Sequence, residues 1–89
     1  MVEFLVESYV ARADRGAPER ARQAAERLAR AGAPIRFLRS IYLPVEETCF
    51  YLYEAGSADD VRAAARAAAI PFGEVVEAVQ DNEATRGEK

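Results

Sequence analysis

The chain contains no histidine and no tryptophan, and only one cysteine and one lysine among its 89 residues. Without histidine, the commonest transition-metal ligand and the commonest general base are both missing. A single cysteine rules out an intrachain disulfide and any zinc site built on several thiolates. No apolar run approaches the roughly 18 residues that span a bilayer. The first ten residues, "MVEFLVESYV", carry Glu3 and Glu7 and no basic cluster, so they do not read as a secretory signal. These absences lead us to expect a cytoplasmic protein with no membrane partner, and they single out no cofactor and no metal site.

What is present is 51% apolar and 30% charged, with a net charge of −3. That composition fits one domain, residues 1–80, followed by a solvated tail, 81–89, with no apolar anchor. A mildly acidic domain is a poor general polyanion binder, and nucleic acid is not expected as a partner. A domain this small buries only about 60–65% of the surface its unfolded chain exposes, so pairing with a second copy is a common remedy.

Residues 2–9, "VEFLVESY", alternate between Val2, Phe4 and Val6 on one side and Glu3, Leu5 and Glu7 on the other, as a half-buried strand does. Pro18 opens a helix whose buried stripe is Ala21, Ala24, Ala25 and Leu28, and Gly32 and Pro34 end it. The β-rich runs 35–43 and 48–54 flank the turn "PVEE" and form a hairpin. Ser57, with Asp60 three residues on, resembles a capping box for a second helix striped by Val61, Ala64, Ala65 and Ala68 and stopped by Pro71. Residues 74–79, "EVVEAV", read as a last strand. The order βαββαβ predicts an α+β, ferredoxin-like domain with a four-stranded antiparallel sheet and two helices on one face.

A four-residue turn at 44–47 sets Leu43 opposite Thr48, and pairing then runs back to Leu38 opposite Tyr53. One face of the hairpin carries Phe37, Arg39, Ile41, Phe50, Leu52 and Glu54; the other carries Leu38, Tyr42, Cys49, Tyr51 and Tyr53. Both are largely apolar, and one layer of helix covers only one of them. An uncovered apolar face calls for a partner sheet, a ligand, or both. The helix stripes are mostly alanine and leave room for large side chains, so the tyrosine-rich face, with Phe4 and Val6, belongs beneath them. The other face, with Glu7 from the first strand, sets ionisable groups among apolar walls, as small-molecule sites do. The candidate ligand-binding residues are therefore Glu7, Phe37, Arg39, Ile41, Phe50, Leu52 and Glu54.

Individual residues admit plainer readings. A reactive Cys49 needs a neighbouring cation or helix N-terminus to lower its pKa, and a lone cysteine in a strand is more often a small core residue. Tyr42, Tyr51 and Tyr53 are more often core than proton carriers, and Tyr9 is open to either role. Glu7, Arg39 and Glu54 form either a paired pocket cluster or a structural ion-pair network. Arg20, Arg22, Arg27 and Arg30 are interleaved with Glu19 and Glu26 and read as a solvated helix face. RNA-recognition domains share the βαββαβ order, but "TCFYLYEA" lacks their basic, glycine-containing strand motif.

The segments "FLVES" at 4–8, "IRFLRSIYLP" at 35–44, "CFYLYEAGSADDVR" at 49–62 and "IPFGEVVEAV" at 70–79 together resemble a small bacterial domain family. That family includes nickel-responsive or nickel-binding proteins. The resemblance implies a ferredoxin-like, dimeric α/β barrel. Many relatives carry His at the position of Arg39 and in the second helix, where this chain reads "VRAAARAAAI". A fixed positive charge at Arg39 repels a cation, so the resemblance carries the fold and the homodimer rather than the metal. With the two apolar sheet faces, the expected function is a homodimeric barrel holding a small molecule, or less readily a metal ion, in a cavity on the sheet, and a purely structural partner domain with a filled barrel is a further reading. The alternative is a cofactor-independent monooxygenase, cyclase or isomerase acting on a small aromatic or polyketide-like substrate.

Overall fold

The computed structural model describes residues 1–79, so the proposed tail lies outside the described residues. The elements are β1 (Val2–Tyr9), α1 (Ala17–Arg30), β2 (Ile35–Leu43), β3 (Thr48–Ala55), α2 (Ala58–Ala67) and β4 (Val75–Ala78). All strand pairs are antiparallel and the sheet order is β2-β3-β1-β4. Each βαβ half thus places its helix on the same side of one sheet, which is the ferredoxin-like α+β arrangement.

The helices sit close to the sheet because their buried stripes are small: Ala17, Ala21, Ala24 and Ala25 on α1, and Val61, Ala64 and Ala65 on α2. Large side chains from the sheet fill the space beneath them. Tyr51 and Tyr53 are the bulkiest fully buried residues, joined by Phe4, Val6 and Cys49. The tyrosine-rich face is therefore the one beneath the helices, as the alanine stripes predict.

Several ends differ from expectation. Helix α1 begins at Ala17, with Pro18 inside its first turn where a missing N–H costs nothing. Helix α2 ends at Ala67, ahead of Pro71. Ala69 stops it by taking a left-handed backbone, φ 57°, so that the Ile70 amide reaches back to the Ala65 carbonyl at 3.1 Å. Ser57 caps α2: its hydroxyl oxygen accepts from the Asp60 amide at 3.3 Å and donates to the Asp60 carboxylate at 2.9 Å. The last strand is four residues, Val75–Ala78, rather than six.

The β2–β3 register agrees with the hairpin reading from Leu43–Thr48 through Arg39–Leu52, and then breaks. A bulge at Leu38 leaves that residue out of the ladder, and Phe37, not Leu38, lies opposite Tyr53. One extra residue sends every side chain beyond it to the opposite face.

Among the described residues no helix is long and apolar enough to cross a membrane.

Candidate functional site

The sheet face away from the helices is built in cross-strand rows. Ala78, Glu3, Glu54 and Arg36 lie side by side across β4, β1, β3 and β2; Val76, Leu5, Leu52 and Arg39 form the next row. Glu7, Phe50 and Ile41 follow, then Tyr9, Thr48 and Leu43. Directly opposed residues share a face, so Val76, Leu5, Leu52, Phe50, Ile41 and Leu43 make one contiguous apolar band. Ile41 is 54% exposed, Val76 43% and Leu43 38%, although nothing polar separates them from the half-buried Leu5, Phe50 and Leu52. Charged residues border the band: Glu3, Glu54 and Arg36 at one end, Glu7 on the β4 side and Arg39 on the β2 side. Arg36 reaches the Glu54 carboxylate at 3.4 Å, a rim contact in which Arg36 stays largely in water.

Six of the seven residues predicted for this face are on it: Glu7, Arg39, Ile41, Phe50, Leu52 and Glu54. Phe37 is not. The Leu38 bulge turns it under the helices, where its ring meets Tyr53 edge-on at 5.5 Å and Tyr51 at 6.4 Å. It packs against the core as a half-buried neighbour. Glu7 also lines a groove of about 470 Å³ at the β1–β4 side of the face, together with Leu5, Tyr9, Val76 and Glu74. The other five do not line that groove.

The opposite face carries the remaining chemistry-bearing side chains, and burial quiets them. Cys49 is fully buried, and desolvation pushes its thiol up, away from the reactive range. Burial likewise raises the phenols of Tyr51 and Tyr53 far above their ordinary range. The Tyr53 hydroxyl has no hydrogen-bond partner among the described residues, whereas the Tyr51 hydroxyl lies against the Cys49 thiol. Ser8, also buried, donates to the Pro71 carbonyl and fixes the segment leading into β4. Among the described residues no group of three or more Cys, Asp or Glu side chains is arranged to hold a metal ion.

Two polar ties were not visible in the sequence pattern. Arg20, read as part of a solvated helix face, has its Nε donating to the Ala68 carbonyl at 3.0 Å while its terminal nitrogens grip Asp14 at 2.8 and 2.9 Å. It therefore satisfies an otherwise orphaned carbonyl at the end of α2. Glu47, read only as a turn residue, accepts from the Tyr9 hydroxyl and the Arg12 amide, each at 3.0 Å. Its own carbonyl accepts from the Val10 amide at 2.8 Å. Both ties join segments more than thirty residues apart, and no local spacing marks them.

The fold is shared with a solved protein. The crystal structure of SCO4226 from Streptomyces coelicolor A3(2) superposes with a TM-score of 0.66 at 18% identity, covering 89% of this chain and 98% of that one. At that identity the likeness concerns the fold alone. No curated protein matches the chain. The family model described as "Nickel responsive protein SCO4226-like" matches residues 4–78. That match spans all six elements except the first two residues of β1, and the chain belongs to the SCO4226-like family.

Proposed function

We propose that this protein is a homodimer that packs its open sheet faces together and holds a small molecule between them. The observation that carries the reading is the apolar band from Val76 through Leu5, Leu52 and Phe50 to Ile41 and Leu43, which no element among the described residues covers. A lone soluble domain rarely leaves such a continuous patch in water. Burying it against a copy of itself removes apolar area on both protomers at once, each Å² contributing about 25 cal/mol before association costs. The charged border then becomes the polar lining of an interior. Arg39, Glu7 and Glu54 would orient a ligand whose body rests on Phe50, Leu52 and Ile41.

The family's description raises nickel, and the donor chemistry of this chain does not fit it. Nickel sites draw on imidazole and thiolate. The chain has no histidine, and its one thiol is fully buried on the helix side with its pKa raised. The acidic residues of the open face are interleaved with Arg36 and Arg39. A response to nickel by this protein would therefore not run through direct coordination on this face.

The enzymatic reading ranks second. Tyr51 and Tyr53, the tyrosines of the central strand that would have carried protons, lie under the helices with their phenols locked neutral. What faces the open side is Tyr9 with the carboxylates Glu3, Glu7 and Glu54, which suits binding more than proton relay.

Native mass spectrometry of freshly purified protein tests the reading. The expected spectrum shows a dimer carrying a small-molecule adduct that is lost when Arg39 is replaced by Leu. A spectrum of bare protomer only would overturn it.

A further inference from the structure

A second concavity, of about 500 Å³, lies at the end of the sheet, away from the open face. It is walled by Val10, Pro18, Tyr42 and Pro44, and Arg12 and Arg15 stand at its rim. Tyr42 belongs to the helix-side face, opposite Cys49, so this crevice is separate from the apolar band. We propose that it binds a small organic monoanion: a carboxylate attached to an apolar body the size of one ring.

Three observations specify that class. Val10, Pro18, Pro44 and the Tyr42 ring give it an apolar wall beside three charged side chains, Arg12, Asp14 and Arg15, and the volume lies within the usual range of small-molecule sites. The two cations are available. Arg12 Nε donates to the Pro44 carbonyl at 3.2 Å, which holds the guanidinium in place and leaves its terminal nitrogens for a ligand. Arg15 is exposed and has no ion-pair partner among the described residues. The charge is also limited. Asp14 lines the crevice, but both of its oxygens are taken by Arg20 at 2.8 and 2.9 Å, and Glu47 holds the Arg12 amide at 3.0 Å. Among the charged residues that line the crevice, Arg12 and Arg15 stand against Asp14 alone, which leaves one surplus positive charge and matches one carboxylate better than a phosphate dianion. The Tyr42 hydroxyl donates to the Val10 carbonyl at 3.2 Å, which keeps its ring as a fixed wall rather than a ligand group.

The test is a two-dimensional amide NMR titration of the full chain with sodium phenylacetate, alongside phenylacetamide and inorganic phosphate. The expected result is saturable shifts confined to residues 10–18 and 42–47, with a Kd of about 1 mM or tighter for phenylacetate. Phenylacetamide and phosphate should each bind at least about tenfold more weakly. Arg15→Gln, which removes an exposed cation with no ion-pair partner among the described residues, should weaken phenylacetate about tenfold while leaving the unliganded spectrum intact elsewhere. Equal affinity for the amide or for phosphate, no saturation, or shifts centred on Leu5, Phe50 and Leu52 would each overturn the proposal. The last outcome would instead put the ligand on the sheet face, so the two readings fail separately.

Discussion

The Glu47 carboxylate accepts the Tyr9 hydroxyl through one oxygen and the Arg12 amide through the other, each at 3.0 Å. This pins the end of β1 and the loop after it to the β2–β3 turn, in which Glu47 itself adopts a left-handed backbone, φ 51°. The Arg12 amide, followed by the Tyr9 hydroxyl, lowers the Glu47 pKa from its ordinary 4.5, and the bond to Glu47 raises that of Tyr9 from its ordinary 10.0. The signs follow from linkage. Glu47 contributes stability that is full above 4.5 and is lost as the pH falls through its lowered folded value. Tyr9 contributes stability that is full below 10.0 and is lost as the pH rises through its raised folded value. Thermal midpoints measured against pH should show both flanks flattened in Glu47→Gln relative to the parent. An unchanged profile would mean that the tie contributes nothing in water.

Ala69 carries a left-handed φ of 57° at the end of α2. A Cβ makes that conformation costly, whereas glycine adopts it freely. Ala69→Gly should therefore stabilise the protein by about 0.5–1 kcal/mol, after allowing for the looser unfolded chain. Urea denaturation measures it; a loss of stability would show that the cap is not strained.

The Tyr53 hydroxyl is buried without a partner among the described residues, and an unpaired buried hydroxyl costs about 1–3 kcal/mol. Tyr53→Phe should be neutral or stabilising. If it destabilises by more than about 1 kcal/mol, the hydroxyl has a partner within the core.

Phe37 and Phe50 differ in role although both are half-buried strand phenylalanines. Phe37→Ala removes an edge-on contact with Tyr53 and should destabilise the folded chain by about 2–3 kcal/mol at any protein concentration. Phe50→Ala should act mainly through assembly, so its effect on the unfolding midpoint should depend on concentration. Comparing both variants at two protein concentrations separates the roles; matching behaviour would contradict them.

That contrast also marks how far the sequence could be read. The alternation of β1 and the four-residue turn before Thr48 place Glu7, Arg39, Ile41, Phe50, Leu52 and Glu54 on one face, and the alanine stripes of the helices point to the other face as the one beneath them. Phe37 was assigned to the wrong face because a bulge sits at Leu38, and bulges of this kind need no glycine to announce them. The α2 terminus was attributed to Pro71, the conspicuous residue, whereas the chain turns at Ala69, an alanine in a conformation that composition does not suggest. Arg20 and Glu47 act across long sequence separations, and periodicity reports only on neighbours along the same element.

Placing a charge in the middle of the apolar band should separate assembly from folding. Leu52→Arg should weaken self-association by about a hundredfold or more, since a desolvated, unpaired cation at an interface costs several kcal/mol. The variant should keep its far-ultraviolet circular dichroism, because Leu52 points away from the helices. A variant that associates as tightly as the parent would show that the band is not the contact surface.

The most direct measurement is the molar mass of the parent protein in solution by sedimentation equilibrium. Burial of the open face against a second copy predicts twice the 9.8 kDa protomer across the accessible concentration range. A single species of 9.8 kDa across that same range would contradict it.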